Sequence, residues 1–276
     1  SASEAIKDDA PQVWNNSKNN TCFDWEMGEK EKVNKAFESA ETVVEIELVN
    51  NRIVPNSMET RGAIASYNIE NNKYELRCSS QGVHSIRDRV SELLNIEAKD
   101  LRVITTDVGG GFGMKLFNYP EYICSLFASK KVGRPVKWVS ERTEAFLSDT
   151  HGRDHVTKAK MALDKDGIFL GIKIDTIANL GAYLSNFAIF VPTLAGTAML
   201  AGCYKTPAIY ANVLGVFTNT PAIDAYRGAG RPEASYVIER LVDIAGMKTG
   251  LGPIEIRRRN LIPANEMPYK TALNHT

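Results

Sequence analysis

The chain lacks most of the features that make a function easy to read. Its four cysteines, Cys22, Cys78, Cys124 and Cys203, are widely scattered and no C-x-x-C pair exists. That excludes zinc ribbons and cluster motifs. Scattered thiols in a chain of this size are expected to be reduced and buried, as in a cytoplasmic protein. There is no excess of either charge: 33 Lys+Arg face 33 Asp+Glu. With no basic surplus to release counterions, a nucleic-acid partner is not expected. No apolar run reaches the roughly 18 residues of a membrane span. The longest, FAIFVPTLAGTAML, is shorter and contains Pro192. The N-terminus, SASEAIKDDAP, is polar and acidic, unlike a signal peptide. It has no initial methionine, so a longer parent chain is expected.

What is present is ordinary in bulk. At 276 residues and 43% hydrophobic composition, the chain can bury the core of one large domain or two smaller ones. Residues 1–40 are rich in Asn, Lys and Glu and read as an extended arm with one short helix, GEKEKVNKAFESA. Residues 41–276 read as the main domain. Strands are expected in TVVEIELV, YELRC, LRVITTDV, RPVKWVS and YANVLGVFTNT, where β-branched residues cluster. Helices are expected after Gly82, from Pro120 to a stop at Gly133, in the small-residue stretch PTLAGTAMLAGCY, from Pro232 onward, and in PIEIRRRNLI. HVTKAKMALDKDGIFLGIKIDTIA is a long hairpin around Asp164–Gly167. That hairpin breaks the strand–helix alternation, so the fold class is α+β, with mixed sheets and packed helices.

Local motifs leave alternatives open. VGGGFGMK follows a strand, as phosphate loops do. A dinucleotide fingerprint would need glycine at 114 or 116, where Met114 and Leu116 stand. The P-loop pattern fails at Met114-Lys115-Leu116 as well. Successive glycines carry an entropic cost and are tolerated where backbone must approach something closely, a cofactor or another element. His151 and His155, four apart in HGRDH, lack the glutamate of a zinc-protease helix, and Gly152 stands there; structural or solvated histidines are the better account. His84 begins a helix and could act as a base only in principle. Arg257–Arg259 suit a helix C-terminus. AYRGAGRPE, residues 225–233, places glycines and arginines before a helix, as an anion cradle would, or as a plain turn would.

In order and spacing these pieces resemble a known family. GGGFG with Lys115 close behind, AYRG about 110 residues later, and Ser79-x-Gln81 about 30 residues earlier are similar to the molybdenum hydroxylases. That family includes xanthine dehydrogenase, aldehyde oxidase and the large subunit of carbon monoxide dehydrogenase. NNRIVPNSMETRGAIASY, NLGAYLS, YKTPAIY and IRRRNLIP also have counterparts in the carbon-monoxide-dehydrogenase branch. The resemblance implies the first half of the molybdenum-binding region and a molybdopterin cofactor, in its cytosine dinucleotide form. It also implies an iron–sulfur small subunit and an FAD medium subunit as partners, a small-molecule substrate and a cytoplasmic location. Gln81 matches the glutamine that hydrogen-bonds the apical oxo ligand. Gly110, Gly111, Phe112 and Gly113 match the backbone beside the dithiolene, and Arg227 the arginine of the active-site loop.

The departures carry expectations too. The family's catalytic glutamate lies farther along the subunit, so no residue here is assigned as general base or metal ligand. The chain by itself is expected to be a fragment, inactive and free of cofactor. Leu116 stands where purine-specific members have glutamate, which argues against xanthine as substrate. Gly228 stands where the copper-binding cysteine of carbon monoxide enzymes follows the arginine. Leu116, Gly228 and Ala229 are the candidate substrate-pocket residues. The alternative reading is a non-catalytic module of the same fold that binds an anion or a partner subunit.

Overall fold

The computed structural model describes residues 1–276. The chain forms two compact units, residues 1–53 with 152–276, and residues 54–151. In chain order the helices are α1 (Ala2–Ala5), α2 (Lys30–Glu38), α3 (Val83–Leu94), α4 (Pro120–Val132), α5 (Arg142–Ser148), α6 (Arg231–Lys248) and α7 (Gly252–Asn260). The strands are β1 (Thr21–Gly28), β2 (Thr42–Asn50), β3 (Gly62–Asn68), β4 (Lys73–Cys78), β5 (Leu101–Ile104), β6 (Val136–Val139), β7 (His155–Leu163), β8 (Phe169–Gly181) and β9 (Ile209–Phe217). Both sheets are mixed, and the α+β class holds. No helix is long and apolar enough to cross a membrane.

The first unit is built on a five-stranded sheet in the order β1-β9-β8-β7-β2. The expected hairpin is its centre: β7 and β8 pair antiparallel, and Asp164 Oδ1 accepts from the N–H groups of Asp166 and Ile168 to close the turn. β9 lies parallel to β8 because its connection crosses over rather than turning back. Alternation along the strands gives the sheet two apolar faces. Ile209 and Ala211 join the cluster containing Val237, Leu241, Val242 and Ala245 of α6. Ala208 and Tyr210 face Val33 of α2 instead. The buried residues of α6 recur along one helical stripe, and burying a branched side chain there contributes about 1.5 to 3 kcal/mol. Residues 1–40 contain more than one helix. β1 within them was not expected; it pairs with β9, with Trp25 opposite Val213.

The second unit has a four-stranded sheet, β5-β4-β3-β6, with β4 and β5 parallel and the other pairs antiparallel. α4 starts at Pro120, which needs no N–H in a first turn, and stops at Gly133 in the left-handed conformation at φ +64°. α4 packs on β3 and α3 on β5, burying Leu76, Ile86, Val90, Tyr122 and Leu126.

Two expectations are corrected. PTLAGTAMLAGCY is not a regular helix. It opens as a π-helical turn, Val191–Ala195, and continues as turns. Pro192 removes one donor, and Gly202 sits at φ +56°, a conformation that ends a helix. The four cysteines are unpaired, but only Cys78 is buried; Cys124 and Cys203 are exposed and Cys22 lies between. Their scatter gave no information about the face of each element on which they fall.

Candidate functional site

The glycine stretch of the second unit is a wound loop after β5. Gly110 and Gly113 have φ of +97° and +105°, and Phe112, a bulky residue, is also left-handed at +54°. A phenylalanine there stores backbone strain of about 1 to 3 kcal/mol, which persists only where surroundings fix it. The fixing groups are at hand. The Phe112 ring folds over Gly110, where an added Cβ would meet it at 3.2 Å. Met114 N–H donates to Gly111 O at 3.0 Å and Leu116 N–H to Gly113 O at 3.1 Å.

Gln81, just before α3, closes on this loop. Its Oε1 accepts from Gly113 N–H at 2.9 Å, and its own N–H donates to Lys115 O at 3.0 Å. A Cβ at Gly111 would lie 2.4 Å from that oxygen, so glycine is what admits the carboxamide. Because Oε1 is taken by an N–H, the exposed Nε2 end remains to donate, and it has no acceptor within the chain. Leu116 stands beside it, with Cδ1 3.0 Å from where a Cβ on Gly82 would sit. The structure therefore brings Gln81, Gly111, Gly113 and Leu116 together.

Sequence reasoning missed the residue that anchors the loop. Glu59 Oε2 accepts from Gly109 N–H at 2.8 Å and from Lys115 Nζ at 2.6 Å, and Lys115 is 0% exposed. Glu59 is 56 positions from Lys115 in the chain, and no local pattern links them. Burial pushes the Glu59 carboxyl up, but the hydrogen bonds from Lys115 and Gly109 outweigh it and hold the group below its ordinary value. A carboxyl held low contributes stability above its unfolded pKa, near 4.5, and loses it as pH falls through the lower folded value. Glu59→Gln removes the charge and leaves Lys115 buried without a counter-ion. We expect a loss of about 2 to 3 kcal/mol at pH 7. Urea titrations between pH 3 and 6 check the assignment: the wild-type midpoint falls more steeply on acidification than the variant's. Parallel curves would remove Glu59 from this role.

AYRGAGRPE lies in the first unit. Gly228, Ala229 and Gly230 are all left-handed, at φ +92°, +43° and +88°. They coil the chain into α6, whose first turn contains Pro232. Ala229 N–H donates to Tyr226 O at 2.7 Å. A Cβ on Gly230 would meet Val191 O at 2.4 Å, and one on Gly228 would meet the Pro232 ring at 2.5 Å. The Arg227 guanidinium is exposed and has no partner within the chain. Just upstream, Asp224 is fully buried. Burial raises its carboxyl pKa, against hydrogen bonds from Ser185, Phe187 N–H and Ala225 N–H.

The histidines are structural. His151 is buried, with its ring nitrogen 3.2 Å from Phe146 O. His155 is buried in β7, and that burial lowers its pKa. His84 is exposed on α3. Arg257 does more than complement a helix end: it bridges Glu239 at 2.6 Å and Asp243 at 2.9 Å.

The donor set can be tested against the expected cofactor. The oxo and sulfur atoms of such a group are acceptors, and its phosphates are anionic. In the unit of residues 54–151, Gln81 presents a neutral amide donor with no partner in the chain, and Gly110, Gly111 and Gly113 present backbone without Cβ atoms. In the other unit, Arg227 presents a cation with no partner in the chain. Taken separately, each set has the donor chemistry such a group needs.

Comparison with known proteins gives the same direction. Residues 13–261 match the family model described as the molybdopterin cofactor-binding domain. The large chain of carbon monoxide dehydrogenase from Hydrogenophaga pseudoflava is 35% identical over 257 residues, covering 91% of this chain and 32% of that protein. The gamma subunit of the 6-hydroxypseudooxynicotine dehydrogenase complex from Paenarthrobacter nicotinovorans is 32% identical over 242 residues, covering 88% of this chain and 30% of that protein. Quinoline 2-oxidoreductase from Pseudomonas putida 86 superposes with a TM-score of 0.93 at 32% identity, over 99% of this chain and 35% of that one. The chain thus spans about a third of the length of the relatives it matches.

Proposed function

The chain belongs to the molybdopterin cofactor-binding domain family of the molybdenum hydroxylases, and from that premise we propose that it forms part of the large subunit of a carbon-monoxide-dehydrogenase-like oxidoreductase. The cofactor on this reading is the cytosine dinucleotide form of molybdopterin. The partners are an iron–sulfur small subunit and an FAD medium subunit, and the complex works in the cytoplasm, in keeping with four unpaired cysteines.

Bound molybdenum would supply the transfer of a water-derived oxygen to the substrate and pass the electrons on. This chain's residues do the placing. Gln81 donates an amide N–H to an oxygen acceptor. Gly110, Gly111, Phe112 and Gly113 offer backbone that a flat group can approach. Arg227 contributes a fixed positive charge. Leu116 gives an apolar wall where a carboxylate would have gripped a purine, and Gly228 and Ala229 offer no metal ligand. The substrate class we favour is an aromatic N-heterocycle other than a purine, in line with the quinoline and 6-hydroxypseudooxynicotine in the names of two relatives. No general base is assigned among these residues.

The observation that carries the reading is the Gln81 carboxamide, fixed through its oxygen by Gly113 with its amide end unpaired. Metal and nucleotide analysis tests it. A chain extended to the length of its relatives is expected to hold about one molybdenum per protein and release a cytosine nucleotide on acid treatment. Gln81→Leu should leave the fold intact and reduce turnover on an N-heterocycle by about a hundredfold. The 276-residue chain alone is expected to hold no stoichiometric metal. An extended, folded protein without molybdenum would overturn the reading.

A further inference from the structure

Arg153 and Asp154 precede β7 as two consecutive left-handed residues, at φ +64° and +68°. Neither is glycine, so the pair is strained, and strain of this kind persists only where something holds it. The side chains show what holds it. Asp154 Oδ2 accepts from Arg52 Nε at 2.8 Å and from Asn179 Nδ2 at 2.9 Å. Arg153, buried, points the other way. Its Nη2 donates to Arg227 O at 2.9 Å, and its Nη1 donates to Tyr226 O at 3.3 Å and to Glu233 Oε2 at 2.9 Å. Its guanidinium also lies 4.9 Å from the centre of the Tyr226 ring. Gly152 lies flat against the same tyrosine, where a Cβ would approach Tyr226 Cβ to 2.3 Å.

We propose that Arg153 and Glu233 are positioning residues for Arg227, clamping the backbone of Tyr226 and Arg227 so that the Arg227 guanidinium is presented at a fixed place. One side chain grips two successive carbonyls of the loop and, through Glu233, the first turn of α6. A guanidinium suits this task because its planar fork serves several acceptors at once; a lysine ammonium does not impose that geometry. Glu233 is 5% exposed and completes the clamp as the counter-charge. Its Oε1 has no protein partner, and with His155 it lines a cavity of about 30 Å³, large enough for one water. The anion at this helix N-terminus is thus the chain's own Glu233. That Arg227 serves the molybdenum cofactor rests on the reading above; the clamp does not.

Hydrogen exchange resolved to single amides tests the clamp without any cofactor. The reporters are Ala229 N–H, bonded to Tyr226 O, and Arg231 N–H, bonded to Gly228 O. In Arg153→Lys both are expected to exchange about tenfold or more faster, while the β7–β8 hairpin keeps its protection. Glu233→Ala should do the same, and Glu233→Gln, which keeps an acceptor oxygen, should stay within about threefold of the wild type. Should Glu233→Ala fail to fold, Arg153→Lys still decides. Unchanged reporters in Arg153→Lys would overturn the proposal, and so would equal loss of protection in loop and hairpin, the mark of a merely structural pair. Molybdenum content of the extended protein separates the two claims. A metal-free wild type with a responsive loop sinks the cofactor reading and leaves the clamp. A loaded wild type with an indifferent loop does the reverse.

Discussion

Replacing Arg61 with methionine is expected to destabilise the unit of residues 54–151 by about 3 to 5 kcal/mol at pH 7, enough to lower its unfolding midpoint by more than about 10 °C. Arg61 is 0% exposed. Its Nε donates to Asp149 at 2.5 Å, Nη1 to Glu121 at 2.9 Å, and Nη2 to Ser148 Oγ at 3.1 Å. The guanidinium also lies 3.6 Å over the Tyr119 ring. Burial works against both charges. At Arg61 it is outweighed by Glu121 and Asp149, which hold the proton more firmly than usual; at Asp149 burial prevails and pushes the carboxyl up, against Arg61. The two tendencies disagree, and the guanidinium settles them. It cannot lose its proton, so the pair is ionic.

Without Arg61, the Asp149 carboxyl, 3% exposed, has lost its counter-charge. Its folded pKa then rises further above the unfolded value near 3.8. A carboxyl raised on folding is most favourable below its unfolded pKa and loses that contribution as pH rises through the folded one. Arg61→Met should therefore recover part of its deficit on acidification from pH 7 to 5, because the wild-type carboxyl, raised less while Arg61 is present, gains less over the same range. Arg61→Met with Asp149→Asn should be less harmful than the single change, because no buried charge is left unpaired. Thermal unfolding followed by exchange protection in β3 reads all three. A deficit for Arg61→Met below about 1 kcal/mol would mean that the network contributes packing and little else.

The second large effect concerns Gly228. Installing cysteine there, to imitate the copper ligand of carbon monoxide enzymes, is expected to destabilise the protein by at least about 2 kcal/mol. It is also expected to give no copper site. The backbone at Gly228 has φ +92°, and a Cβ would sit 2.5 Å from Cγ and 2.6 Å from Cδ of Pro232. The proline ring cannot swing aside, because it is fixed in the first turn of α6. Gly228→Ala should cost about as much as Gly228→Cys, since the clash begins at Cβ. Gly133→Ala is the control: φ is +64° there, but nothing lies within 4 Å, so only the conformational term of about 1 kcal/mol is lost. Chemical denaturation of the three variants and copper titration of the cysteine form provide the comparison. Wild-type stability in Gly228→Cys would show that the loop can rearrange, and the absence of a cysteine would then say more about the reaction than about the backbone.

The elements that periodicity carries strongly were legible in the sequence. The β7–β8 hairpin has two alternating runs around a turn of the right residues, and α4 and α6 have Pro and Gly where helix ends require them. The stretch after Pro192 was not legible as a turn, because small residues suit a helix equally well and only packing decides between the two. β1 was hidden for a related reason. Phe23, Trp25 and Met27 do alternate with Asp24 and Glu26 at a strand period, but the run is short and lies in a stretch whose Asn, Lys and Glu content reads as a polar arm; the edge of β9 beside it gives it a partner.

The candidate site divides along the same line. The sequence alone determined which groups are present: a glutamine, a glycine run, an arginine with glycines before a helix, and a leucine and a glycine at the positions where the resemblance implies a carboxylate or a thiol in some members. Those are matters of residue identity and order, and they suffice for the family. Only the tertiary structure decided how the groups are held. Glu59 reaches Lys115 across 56 positions, Arg153 reaches Glu233 across 80, and Arg61 reaches Asp149 across 88. Pairs that far apart leave no periodic trace, because a folded chain sets their distance and no local propensity does. The backbone at Gly228 belongs with them: its glycine could be read as a missing ligand, but the left-handed turn and the proline against it make glycine a requirement of the loop conformation this chain adopts.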